Sequence, residues 1–159
     1  MGLTPSRHDA HDPALAEILT LIRTCFAPME GRIDPPSSML KMTLASLREQ
    51  ATSGEIWSLG TPPLACVLLT PQPRALYLGK LAVDAAARGK GHARSLITLA
   101  ETRARAFGLP AVELQSRVEL VENHALFAAT GFAEVARTAH PGFSRPTSIT
   151  FRKPVSAQR

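Results

Sequence analysis

Only two cysteines, one tryptophan and one tyrosine occur among the 159 residues of the chain, and acidic residues are outnumbered 13 to 18 by basic ones. Cys25 and Cys66 stand apart within apolar runs, with neither CxxC spacing nor histidine ligands nearby. That spacing argues against a disulfide framework and a zinc site, and buried free thiols are expected. No metal is implied. No hydrophobic run approaches the roughly 20 residues that span a bilayer, and the opening MGLTPSRHDAHDP lacks the apolar centre of a secretory leader. The expectation is a cytoplasmic protein without a membrane partner. Aromatic residues make up 5% of the chain, and the basic residues, mostly arginine, are not interleaved with them. The net charge of +5 therefore points away from nucleic acid as a partner and toward a compact polyanion.

What is present fits one globular domain. With 45% hydrophobic residues and no biased tract, the chain is long enough to bury its own core. Residues 13–155 are assigned to that domain, 1–12 to a flexible N-terminus and 156–159 to a tail. Asp12 and Pro13 read as an N-cap and first-turn proline, followed by Leu15, Ile18, Leu19, Ile22 and Phe26 at helical spacing. After the turn-rich APMEGRIDPPSS, a second helix runs through Leu40, Leu44, Leu47 and Ala51. EIWSL, PLACVLLT and ALYLGKLAV are strand-like, and a meander is their simplest arrangement. Leu96, Ile97, Ala100, Ala104 and Phe107 then line one face of a helix closed by Gly108 and Pro110. The strand AVELQS, a short helix from Glu122 to Ala129, and the strands FAEVARTA and TSITFRK complete the chain. This order predicts an α/β domain with a mixed central sheet of about six strands flanked by helices.

The chemistry concentrates in RGKGHA, residues 88–93, between a buried strand and a helix. The first turn of a helix presents unpaired backbone N–H groups and partial positive charge, and glycine lets an anion come close to the backbone. Arg88, Lys90 and Arg94 add charge there. A Walker loop would need Ser or Thr where Gly91 stands and glycine at Asp84, and a dinucleotide fingerprint would need glycine at Arg94. Neither matches.

The stretch LAVDAAARGKGHA resembles the Arg/Gln-x-x-Gly-x-Gly/Ala signature of the GCN5-related N-acetyltransferases, with Arg88, Gly91 and Ala93 in the fixed places. KLAV resembles that family's apolar strand end, and NHALFAATGF its helix ending in Gly-Phe. The resemblance runs from about Trp57 to Phe151. It implies an acetyl-CoA-dependent acyltransferase that passes the acetyl group directly to a primary amine of a small molecule or peptide. It further implies that Arg88, Gly89, Lys90, Gly91, His92, Ala93 and Arg94 hold the pyrophosphate. Pantetheine would follow the backbone of Leu81, Ala82 and Val83, with Asn123 and Phe127 nearby, and a backbone contact at Leu81 would receive the oxyanion. A homodimer is compatible with this reading.

Two departures from the family pattern stand out. Phe127 occupies the place of a tyrosine that serves the family as general acid, and MGLTPSRH shows no convincing first strand. Loss of the tyrosine is the smaller problem: a thiol of pKa about 8.5 leaves as thiolate at pH 7 for about 2 kcal/mol, whereas freeing a lysine-like amine costs about 5 kcal/mol. A base matters more than an acid. Glu113, Glu30 and Asp34 are candidates, and the last two would make the acceptor pocket attractive to a cationic amine. His140 and Arg145, in the connection HPGFSRPTS, form a further candidate wall of that pocket. His92 is expected to pack or meet phosphate and His124 to lie at the surface. Phe127 also leaves open a CoA-binding regulatory module without catalysis.

Overall fold

The computed structural model describes residues 3–37 and 41–156. Helix α1, Leu15–Phe26, buries Leu15, Ile18, Leu19 and Ile22 along one face, as their spacing requires. Helix α2, Leu44–Ser53, starts at a reciprocal cap in which Thr43 Oγ1 accepts from the Ser46 N–H and Ser46 Oγ from the Thr43 N–H. Leu40, expected in this helix, lies outside the described residues. Strands β2 (Glu55–Leu59), β3 (Ala65–Pro71) and β4 (Leu76–Val83) form the expected antiparallel meander. Helix α3 (His92–Ala106), strand β5 (Ala111–Arg117), helix α4 (Val121–Ala129), and strands β6 (Ala133–Thr138) and β7 (Ser148–Pro154) follow. No helix among the described residues is long and apolar enough to cross a membrane.

The N-terminus corrects the sequence reading. Ser6–His8 forms strand β1, paired antiparallel with β2, so the sheet has seven strands rather than about six. Asp12 does not cap α1, whose N-cap is Ala14. Its Oδ1 accepts from the Ala14 N–H at 2.9 Å and its Oδ2 meets His8 Nδ1 at 2.7 Å, while His8 Nε2 hydrogen-bonds with Ser58 Oγ at 2.6 Å. Those bonds hold the Asp12 carboxyl below its ordinary range, the Ala14 N–H contributing most. They also tie the first strand to the sheet.

The strand order is β1-β2-β3-β4-β5-β7-β6, with β4 and β5 the parallel pair. One face carries α3 and α4 over Val67, Leu69, Leu76, Leu78, Val112 and Leu114. The other carries α1 and α2 over Ile56, Cys66 and Leu68. Strand β4 changes face within its length. Cys66 pairs with Ala82 but Leu68 with Gly79, so Lys80 and Leu81 together oppose Val67, and Lys80 takes a φ of +49°. Beyond this bulge Ala82 joins the α1/α2 core, while Leu81 and Val83 pack toward α3.

Candidate active site

Strands β4 and β5 are paired only at Leu76–Val112 and Tyr77–Glu113, and beyond those rungs they diverge. Leu78–Val83 on one side and Leu114–Arg117 on the other thus form a fork that opens at the carboxyl ends of two parallel strands, where open α/β sheets bind ligands. Tyr77 sits at the closed end. Burial pushes its phenol up despite a hydrogen bond from the Gln115 backbone, so it stays protonated. The bulge at Lys80 and Leu81 lies on the wall of the fork and breaks the β3–β4 ladder there, the local condition under which a backbone group is left unpaired.

The open end leads directly into α3. Gly91 is its N-cap, at φ +82°, no side chain caps the helix, and Gly89 has φ +80°. A Cβ built at either glycine would meet no heavy atom within 4 Å, so these residues serve backbone shape and outside access rather than internal packing. Arg88, Lys90 and Arg94 are exposed around the turn, and His92 and Ala93 are half-buried in it. Arg88 Nε reaches the Val83 carbonyl at 3.4 Å. Cys25, expected to be buried, is half-buried beside it, with Sγ 3.3 Å from the same oxygen and its thiol pushed up by burial. Asn123 is half-buried near the start of α4. Phe127 is 8% exposed and meets Phe132 and Phe151 with ring centres 6.0 and 5.6 Å apart.

The α1/α2 side of the fork is framed by three loops. A cavity of about 280 Å³ is lined by Phe26, Met29, Glu30, Gly31, Ile33, Pro36 and Ser37. Glu30 is exposed at its rim. Asp34 meets Arg145 at 3.6 Å, which joins the two candidate walls, and its N–H donates to Glu119 Oε2 at 3.2 Å. Arg145 also lies over Phe143. His140 Nδ1 is hydrogen-bonded to Thr147 Oγ1, and burial, with the nearby Arg117 charge, holds its imidazole below the ordinary value. It is therefore neutral at pH 7. Glu113 does not join this group: it sits at the closed end, ion-paired with Arg152 at 3.1 Å. His124 is half-buried rather than superficial, its Nε2 2.9 Å from the Arg117 carbonyl.

A family model described as acetyltransferase (GNAT) family matches residues 15–132, most of the chain. The chain belongs to that family. Among solved structures, an acetyltransferase from Streptococcus agalactiae superposes with a TM-score of 0.74 at 18% identity, covering 98% of this chain and 99% of the other. The ribosomal-protein-S18-alanine N-acetyltransferase of Escherichia coli gives 0.71 at 18% identity, covering 98% and 96%. A GNAT family acetyltransferase from Elizabethkingia anophelis with acetyl-CoA bound gives 0.68 at 14%, covering 97% and 99%. Likeness at these identities is one of fold. No curated protein sequence matches significantly.

In this GNAT domain the fold also gathers residues that the sequence did not single out. Lys80, Arg117 and Glu119 stand at the open end of the fork. Among the described residues, Glu119 Oε1 and Ser116 Oγ are buried oxygens without a hydrogen-bond partner. Ser116 shares the α3/α4 face of β5 with Leu114 by strand alternation. The available signal was positional: all of these residues lie at or just past the carboxyl ends of the two parallel strands, but only pairing data reveal which strands those are.

Proposed function

We propose that this domain uses acetyl-CoA to acetylate a primary amine of a small molecule or peptide, directly and without an acyl-enzyme intermediate. The fork opening beside an uncapped, glycine-bearing helix start is the observation that carries the reading. The amides of 89–94 suit a pyrophosphate, with Arg88, Lys90 and Arg94 adding charge. Strand β4 from Leu81 to Val83, released from β5, offers a backbone edge to pantetheine, and the Leu81 N–H in the bulge is assigned to the developing oxyanion. The amine enters from the α1/α2 side. Its nitrogen bonds to the thioester carbon, the carbon–sulfur bond breaks, and the electron pair leaves with sulfur as thiolate. Glu119 receives the nitrogen's proton at Oε1, which has no hydrogen-bond partner among the described residues, while its Oε2 keeps the Asp34 N–H.

Thiol release across a panel of amines tests the activity. Release with none of them, while CoA still binds, would instead assign a CoA-binding module, the alternative that Phe127 favours. The cofactor cradle has its own test. Gly91→Glu places negative charge at the helix start and forces a side chain onto a left-handed backbone, and two lost charge-assisted bonds amount to about 3 kcal/mol. CoA affinity should fall on the order of 100-fold by calorimetry, with circular dichroism unchanged. Equal affinity would move the phosphates elsewhere. Phe127→Tyr should change turnover less than tenfold, because thiolate departure is the smaller proton problem. A hundredfold gain would reverse that ranking.

A further inference from the structure

The cavity of about 280 Å³ touches both strands of the fork. Phe26, in its wall, has its ring centre 5.9 Å from Lys80 Nζ in the β4 bulge, and the Pro36 carbonyl accepts from Arg117 Nη2, at the end of β5, at 3.1 Å. The apolar lining is Phe26, Met29, Ile33 and Pro36, and Ile33 is buried although Arg32 and Asp34 on either side of it are exposed. The backbone that carries these residues has its hydrogen-bonding groups engaged elsewhere. The Pro35 carbonyl accepts from Arg117 Nη1 at 2.7 Å, the Asp34 N–H donates to Glu119, and the Glu30 and Arg32 N–H groups donate to the Ala27 and Met29 carbonyls. Neither proline has an N–H to offer. The wall therefore presents mainly hydrocarbon.

An open hydrocarbon wall beside a reaction centre favours a ligand that has hydrocarbon to bury, with a few polar groups at the edge to orient it. Here those groups are Ser37 and Glu30. Asp34 is ion-paired with Arg145, whereas Glu30 is exposed at the rim and has no ion-pair partner among the described residues. Glu30 is thus the carboxylate left to draw an ammonium. We propose that the cavity takes the hydrocarbon body of a primary monoamine, an aromatic ring on a short linker or a short alkyl chain, whose nitrogen stays outside at the rim. This rests on the N-acyltransferase reading above and narrows its acceptor. A dry cavity of about 150 Å³ already admits benzene, so the volume present holds a ring together with its linker. A hydroxyl or a second ammonium at the far end of the acceptor would be desolvated against Phe26 and Ile33, which disfavours amino alcohols and diamines.

The test is calorimetric titration of straight-chain amines from ethylamine to octylamine, and of 2-phenylethylamine, onto the CoA-bound protein, with thiol release from acetyl-CoA measured in parallel. Each methylene that enters the cavity should raise affinity about fourfold until the cavity is full and the gain stops. The diamine and the amino alcohol of the optimal length should bind on the order of tenfold more weakly than the monoamine. Met29→Ala should move the optimum to a longer chain, which a merely structural role for Met29 would not do. Affinity that ignores added methylenes, or a diamine that equals its monoamine, would overturn the proposal, as would an unmoved optimum in folded Met29→Ala protein. The dependence on the tail is read from the titration, so the expected binding without thiol release upholds the cavity and counts against acetyl transfer alone.

Discussion

Arg103→Ala is expected to destabilise the protein by about 3 kcal/mol, measured by denaturant unfolding at pH 7. Glu55 is 1% exposed at the start of β2, and Arg103 on α3 satisfies both of its oxygens, Nε to Oε1 at 2.8 Å and Nη2 to Oε2 at 2.6 Å. Trp57 Nε1 adds a bond at 2.8 Å and Arg7 an ion pair at 3.4 Å. Removing one partner of a buried pair costs about 3–5 kcal/mol because the other charge is stranded. The lower end applies here, since Arg7 and Trp57 remain. Glu55→Gln should cost less, because the Arg103 side chain is 26% exposed and can rehydrate. A loss under 1 kcal/mol in Arg103→Ala would show that Arg7 alone neutralises Glu55.

The same cluster fixes a pH dependence. Burial pulls the Glu55 carboxyl upward, but Arg103 and Trp57, with Arg7, outweigh it and leave the group below its ordinary value. A carboxyl lowered on folding stabilises above its unfolded pKa and loses that contribution as pH falls through the folded one. The stability gap between wild type and Arg103→Ala should therefore be full at pH 7 and narrow as pH drops below about 4. A gap that widens in acid would mean that the Arg103 contribution does not come from Glu55.

Local structure was legible in the sequence, and register was not. RGKGHA announces a strand-to-helix turn because glycine and charge act over a few residues, and α3 buries the predicted Leu96, Ile97, Ala100 and Ala104. Strand β1 escaped notice because three polar-looking residues gain their order from Ser58 and Asp12, neither of which marks a strand in the text. The run ALYLGKLAV is apolar on both faces, which conceals the bulge at Lys80 and with it the reversal that turns Ala82 toward α1. The fork is equally silent: nothing in AVELQS tells where pairing with β4 stops. Glu113 thus looked as eligible as any carboxylate, although it lies on the last closed rung. The acceptor side suffered most, since its charges come from four separate segments.

Glu119→Gln is expected to lower kcat/KM for the acceptor on the order of 100-fold while leaving acetyl-CoA affinity within twofold. An amine nitrogen becomes far more acidic once it bonds to the thioester carbon, so a carboxylate at the fork mouth is a competent proton acceptor at that stage, and general bases contribute about 10²–10⁴. Glu119 is placed for this by the end of β5 and by the Asp34 N–H on its Oε2, which leaves Oε1 buried with no donor among the described residues. A buried acceptor left unsatisfied costs about 1–3 kcal/mol, a cost that a bound ammonium would remove. Glutamine keeps the size and the Asp34 bond but loses the basic oxygen. If the role is proton transfer, raising the pH should narrow the difference between wild type and variant, because hydroxide then takes the proton from the intermediate's nitrogen in the variant. A purely structural role predicts a constant ratio across that range, together with altered acetyl-CoA affinity. Undiminished turnover in Glu119→Gln would pass the base role to His140, whose neutral imidazole is hydrogen-bonded to Thr147 Oγ1.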